Sequence, residues 1–269
     1  MYEVISTAAP SGSMKNKLKE KLVAGDKVLG TFFELGGASA VECLARGGFD
    51  YITIDTEHGP FSVETTMEYI RVAESNNITP LVRIGEITRP NVLRMLDIGA
   101  KGLIVPNIHT VEEVRELVRY AKFAPLGQRG YCPTRTTCWG ADACIADAKT
   151  YMELCNQETL LFPQCETVGA YENIKEILAV DGVAGIFVGP ADLSIALGVP
   201  LDFNSPKLRS AIVQVLDACK KANKFSLIFA GSAEAAKEWY ALGFDSVCYS
   251  LDAAIFVKAC KAAVEDCKG

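Results

Sequence analysis

Gly102-Leu-Ile-Val-Pro106, followed a few residues later by Thr110-Val111-Glu112-Glu113-Val114, holds one complete unit of the fold. The first run is apolar throughout, as a strand must be when both faces of its sheet are covered. Thr110 stands three residues before Glu113, the spacing of a capping box. Val111, Val114, Val118 and Ala121 then mark one apolar face of a helix. A buried strand, a turn and an amphipathic helix together make a βα unit, and repeated βα units give a parallel sheet.

Outward from this stretch the alternation recurs. Strand candidates fall at residues 28–34, 51–55, 80–84, 102–106, 159–164, 183–188, 225–229 and 246–249, each followed by a turn and a helical pattern. Ser205-Pro206 reads as an N-cap before a proline at the first helical position, and Gly99 and Gly243 follow helical stretches where a left-handed closing residue is wanted. No Gly-x-Gly-x-x-Gly follows a strand, which removes the main argument for a dinucleotide-binding open sheet. Eight units in one chain predict an α/β protein of (β/α)₈ TIM-barrel form with a single domain over residues 15–269. Residues 1–14 read as a leader or frayed terminus outside that domain. Two connections, residues 123–156 and 189–205, are longer than the rest and are expected to hold extra structure.

The chain has 269 residues, enough to bury a large core, with 27 Lys plus Arg against 33 Asp plus Glu. That acidic balance, without a basic stripe, is the wrong sign for a binder of nucleic acid. Gly, Pro or charge breaks every apolar stretch well short of the roughly twenty residues that span a bilayer, so no membrane segment is expected. The ten cysteines include no Cys-x-x-Cys pair, and Cys132, Cys138 and Cys144, spaced by six, match neither a metal motif nor a helix face. Without a secretory start or a disulfide pattern, the expected setting is the reducing cytoplasm.

Chemistry in such a barrel sits at the carboxyl ends of the strands. There the sequence places Asp55-Thr56-Glu57-His58-Gly59, then Arg83, then Gln164-Cys165-Glu166, then Gly189-Pro190-Ala191-Asp192. His58 and His109 are the two histidines of the chain. His58, beside two carboxylates that can stabilise an imidazolium, reads as a site for imidazole chemistry or as part of a surface ion pair; His109 reads as a helix-entry residue beside Thr110. Glu166 and Asp192 fall on consecutive strand ends, where two carboxylates repel and a divalent cation relieves them; the alternative is that each caps the helix that follows. Arg83 suits a carboxylate or a developing enolate oxygen, or a salt bridge to Asp55 or Glu57. Lys101 and Lys224 lie at strand beginnings, so no lysine is placed for a Schiff base.

These residues carry a resemblance. Gly48-Phe-Asp-Tyr-Ile-Thr-Ile-Asp-Thr-Glu-His-Gly59, Leu81-Val-Arg-Ile84, Leu96-Asp-Ile-Gly-Ala100, Pro125-Leu-Gly-Gln-Arg-Gly130, Gln164-Cys-Glu-Thr167 and Gly189-Pro-Ala-Asp-Leu-Ser194, in this order, resemble the HpcH/HpaI family of metal-dependent class II pyruvate aldolases. The resemblance implies a carbon–carbon lyase that reversibly splits a 4-hydroxy-2-oxo acid into pyruvate and an aldehyde. It implies Glu166 and Asp192 as ligands of Mg²⁺, Mn²⁺ or a similar ion, Arg83 at the enolate oxygen, and His58 with Asp55 as the proton-moving dyad. Gln164 would contact substrate or a metal-bound water, and the amides of Ala191 and Asp192 would receive the pyruvate carboxylate. It further implies a homo-oligomer, a hexamer, with Asp97 contributed to a neighbour's active site; the local alternative has Asp97 binding backbone near Gly99. A CoA-ester lyase, a phosphoenolpyruvate-linked enzyme and a silent 2-oxo-acid-binding protein are the competing readings. The loop Tyr131-Cys132-Pro133-Thr134-Arg135 departs from the family pattern and is expected to line the aldehyde side.

Overall fold

A computed structural model describes residues 14–141 and 147–269. Eight strands, β1 (Val28–Phe33), β2 (Tyr51–Asp55), β3 (Thr79–Arg83), β4 (Gly102–Val105), β5 (Leu160–Cys165), β6 (Gly185–Val188), β7 (Phe225–Ala230) and β8 (Ser246–Leu251), close into a barrel in sequence order. All the ladders are parallel, and helices run between successive strands. The architecture is the (β/α)₈ barrel that the strand pattern predicts.

Period-2 alternation divides the core. Phe32, Tyr51, Leu81, Ile104, Phe162, Phe187 and Leu227 point inward and pack with one another. Phe33, Ile52, Val82, Leu103, Leu161, Ile186 and Ile228 point outward against the helices. Leu18 and Leu22, from the helix Lys17–Ala24, are buried in the inner cluster and stop the barrel from below. Each such leucine contributes roughly 1.5–3 kcal/mol of apolar burial.

The capping box at Thr110 forms: Glu113 N–H donates to Thr110 Oγ1, and the Thr110 amide donates to Glu113 Oε2. Ser205 occupies the N-cap position before Pro206, but its side chain makes no cap bond. Residues 1–13, most of the expected leader, lie outside the described residues, whereas Met14 packs beside Phe123, Tyr151 and Cys155. The first long connection holds a 3₁₀ turn, Arg135–Gly140, and the helix Ala148–Glu158; the second holds the helix Pro190–Ala196.

One expectation about sulfur is corrected. Cys138 is disulfide-bonded and Cys144 lies outside the described residues, while Cys43, Cys132, Cys155, Cys165, Cys219, Cys248, Cys260 and Cys267 are free thiols. No Cys-x-x-Cys pair or other recognisable spacing announces the bond at Cys138. Among the described residues no helix is long and apolar enough to cross a membrane.

Candidate active site

β2 delivers Asp55 and β3 delivers Arg83 as register partners at the strand ends, both facing into the barrel. Asp55 is fully buried. Its Oδ1 accepts from Arg83 Nε at 2.9 Å and from the amides of Glu57 at 3.0 Å and His58 at 3.3 Å, while Oδ2 accepts from Arg83 Nη2. Burial pushes the Asp55 carboxyl up, but the Arg83 hydrogen bonds and charge outweigh it and hold the group below its ordinary value. The Arg83 guanidinium lies 4.4 Å from the centre of the Phe32 ring, which fixes its plane. Gly59 completes the turn because a Cβ there would stand 2.2 Å from the Asp55 carbonyl oxygen.

His58 is not joined to the Asp55 carboxylate through its ring. Its side chain is 70% exposed, and Nε2 stands 3.8 Å from Glu57 Oε2. Glu57 also lies 3.3 Å from Arg83 Nε. The ion-pair alternative for Arg83, with Asp55 and Glu57, is therefore present, and the His58 ring stands beside Glu57. The direct link between the two members of the expected Asp55–His58 dyad is the bond from the His58 backbone amide.

Facing them, β5 supplies Gln164 and, just beyond its end, Glu166. Glu166 Oε1 accepts from the Asn107 amide at 2.7 Å, and Oε2 accepts from Gln164 Nε2. Glu166 therefore does not cap the next helix; Thr167 does, through its own hydroxyl. Burial pushes the Glu166 carboxyl up to about 7, against the Asn107 hydrogen bond and with the added negative field of Asp192 and Glu57. Gln164 Oε1 is buried without a partner. Gly189 lets these groups meet: a Cβ there would fall 2.8 Å from Gln164 Nε2 and 2.9 Å from Glu166 Oε2. Ala191 and the exposed Asp192 lie in the first turn of Pro190–Ala196, a position whose amides find no acceptor within a helix.

This donor set suits a hard cation: a buried carboxyl that a cation would strip of its proton, a second carboxylate and an orphaned amide oxygen are all oxygen donors. Among the described residues no group of three or more His, Cys, Asp or Glu side chains is gathered for an ion. A site of two carboxylates would leave coordination positions for substrate and water, as a catalytic rather than a structural site requires.

One expected residue and one expected loop lie at the base of the barrel, Asp97 as its helix direction requires and the loop against expectation. Asp97 ends the helix Arg89–Asp97, toward the base of the barrel, and its Oδ1 accepts from Arg129 Nη2 at 2.8 Å rather than from backbone near Gly99. The loop Tyr131 to Arg135 joins a helix to the start of β5, so it too lies at the base, where Arg135 pairs with Glu74. It cannot line the mouth of its own barrel, because a helix-to-strand connection runs to the end opposite the site.

Sequence reading missed two carboxylates. Glu34, two residues past Phe32 on the inward face, stands one step beyond the Phe33–Ile54 pair, beside Asp55; burial and the Asp55 charge push its carboxyl above the ordinary value. Asp252 accepts from the amides of Glu34 at 2.8 Å, Leu35 at 3.0 Å and Ala253 at 2.8 Å. The period-2 phase of β1 could have found Glu34; nothing local points to Asp252.

A closed parallel barrel that concentrates partly buried, mutually perturbed ionisable groups at its strand ends is an enzyme's architecture. The chain belongs to the HpcH/HpaI aldolase/citrate lyase family, whose model matches residues 29–259. It is 31% identical to a 2-keto-3-deoxy-L-rhamnonate aldolase of Klebsiella pneumoniae over 248 residues, 91% of each chain. It is 32% identical to a 4-hydroxy-2-oxo-heptane-1,7-dioate aldolase of Shigella sonnei, over 93% of this chain and 94% of the relative. The crystal structure of an HpcH/HpaI aldolase from Desulfitobacterium hafniense superposes with a TM-score of 0.86 at 32% identity, over 93% of this chain and 96% of that one. This membership places the chain among the carbon–carbon lyases.

Proposed function

We propose that the chain reversibly cleaves a 4-hydroxy-2-oxo acid into pyruvate and an aldehyde, with a divalent cation such as Mg²⁺ or Mn²⁺ held by Glu166 and Asp192. The observation that carries this reading is the opposition, across one mouth, of the buried Glu166 carboxyl and a guanidinium locked in place by Asp55. Bound there, the cation supplies Lewis-acid polarisation of the 2-oxo oxygen.

The chain's own residues do the rest. Asp55 grips one edge of Arg83 and thereby aims the other edge inward, where its N–H groups meet the oxygen on which negative charge gathers as the C3–C4 bond breaks. His58, exposed beside Glu57, takes the proton of the C4 hydroxyl in cleavage and returns it in condensation. Gln164 steadies Glu166 and turns its unpartnered oxygen toward substrate or water. The first-turn amides of Ala191 and Asp192 receive the pyruvate carboxylate. Asp55 positions rather than titrates.

The decisive experiment is exchange of the pyruvate methyl protons with solvent, followed by NMR, which needs no knowledge of the aldehyde. Exchange and aldol cleavage should vanish on chelation, return with Mg²⁺, and stay lost in Glu166→Ala. Full activity in a verified metal-free sample overturns the reading, as does a borohydride-trapped imine with pyruvate.

Assembly belongs to the same proposal. A homo-oligomer, a hexamer, would bring Asp97 at one barrel's base to His58 of another copy, a residue it cannot reach in its own chain. Co-expressed His58→Ala and Asp97→Ala subunits should then regain activity, and proven mixed oligomers without rescue refute the shared site. The chain is proposed to work in the cytoplasm on the strength of its eight free thiols among the described residues, with the disulfide at Cys138 the one feature that speaks against a reducing setting.

A further inference from the structure

We propose that Glu34 selects the aldehyde partner, favouring an uncharged hydroxyaldehyde over one bearing a carboxylate or phosphate. The proposal rests on the aldolase reading above and names the class of its second substrate.

The inward residues of β1 include Val28 and Phe32, and continuing that alternation puts Glu34 on the inward face one layer above Phe32, at the lip of the barrel. Its place is fixed from behind. The β1–β8 ladder breaks register between Gly30 and Phe32, and Ser250 takes a left-handed φ of 58°. The Asp252 carboxylate stands in for the interrupted ladder by accepting the Glu34 and Leu35 amides. With its backbone held there, Glu34 stands beside Asp55, one step beyond the Phe33–Ile54 pair of the β1–β2 ladder.

The closed strand order sets β1 across the barrel from β5. A substrate whose pyruvate end sits at Glu166 and Asp192 therefore directs its aldehyde end toward β1 and β2. What it meets is a lip of Glu34, Asp55 and Glu57, whose one guanidinium, Arg83, is already shared between Asp55 and Glu57. A carboxylate or phosphate on the aldehyde would bring like charge against this lip in a partly desolvated space. A hydroxyl group would instead donate to a Glu34 oxygen.

Matched pairs of acceptors test this: glycolaldehyde against glyoxylate, and glyceraldehyde against its 3-phosphate, each condensed with pyruvate by the metal-loaded enzyme. The quantity is the ratio of kcat/KM within a pair, compared between the wild-type chain and Glu34→Gln, so that intrinsic aldehyde reactivity cancels. We expect the ratio to move about tenfold toward the anionic acceptor in Glu34→Gln, and in the same direction in Glu34→Ala, which stands in should the glutamine variant fail to fold. A shift below about threefold in both pairs, or equal losses for both members of a pair, overturns the proposal and leaves Glu34 as a support for Asp55 alone. Pyruvate methyl exchange by the wild-type chain separates the two readings: if exchange is absent with metal present, the aldolase assignment fails. If exchange is present and the ratios do not move, only the role of Glu34 fails.

Discussion

The two ends of the barrel are built from the same charged residue types and use them in opposite ways. At the base, Arg129 pairs with Asp97, Lys101 and Arg135 with Glu74, and Lys19 with Glu158. Lys122, buried there, donates to the carbonyls of Asn156 at 2.8 Å and Thr159 at 2.6 Å. At the mouth, Glu34, Asp55, Glu57 and Glu166 feel the field of a single guanidinium, Arg83. Charges that satisfy one another hold structure in place. Carboxylates in excess of their cations leave a demand for positive charge that a ligand can meet.

The largest test of this contrast is Arg83→Lys. A point charge cannot reproduce the fork that binds Asp55, so aldol turnover should fall about 10²–10³-fold while the circular dichroism spectrum persists. Near-normal turnover would mean that the guanidinium is only an ion-pair partner, no different in kind from those at the base. His58→Ala comes next, with an expected loss of about 10²-fold in kcat and unchanged metal binding by calorimetry. Retained kcat would return His58 to a surface ion pair with Glu57.

At the base the readout is stability. Asp97→Ala strands the Arg129 guanidinium, whose side chain is 2% exposed, and should lower the urea unfolding free energy by about 2–3 kcal/mol. No change would show that the base pairs are dispensable and would erase the contrast.

The smallest effect is on pH dependence, and here the two ends pull in opposite directions. Glu166, raised from 4.5 to about 7, keeps its proton in the native state where the unfolded chain has released it, so its contribution to stability declines as pH rises from 4.5 to 7. Burial lowers Lys122 from 10.5 to about 7, so the unfolded chain binds a proton that the native state lacks, and stability gains as pH rises from 7 to 10.5. In chelated protein, Glu166→Gln should flatten the first slope of the urea midpoint and Lys122→Met the second. Unaltered slopes would show that neither burial is felt.

The fold was legible because punctuation is local. β2 runs over residues 51–55 as expected, and the other strands shift by at most two residues at most ends, where Gly, Pro or a cap marks the boundary. The identity of the strand-end residues was legible too, since position in a barrel strand fixes which end a residue occupies. Partners were not. Asp55 with Arg83 could be guessed from neighbouring strands, but Asp97 with Arg129 depends on how a long connection folds back, which no periodicity encodes. His58 was expected to act with Asp55 as a proton-moving dyad, but how the turn divides their contacts was not legible: Asp55 accepts from the Glu57 and His58 amides, and the His58 ring stands beside Glu57.

The break in register between β1 and β8 also orders events in time. The bond from the Glu34 amide to Asp252 spans 218 residues, among the longest closures the chain makes. During synthesis, β5 and β6, with the carboxylates proposed for the cation, emerge well before Asp252 exists to hold the first strand. A nascent barrel can thus complete its pyruvate side while its aldehyde side has no fixed wall. Selectivity for the second substrate becomes a property of the finished chain, acquired when its last strand closes the ring.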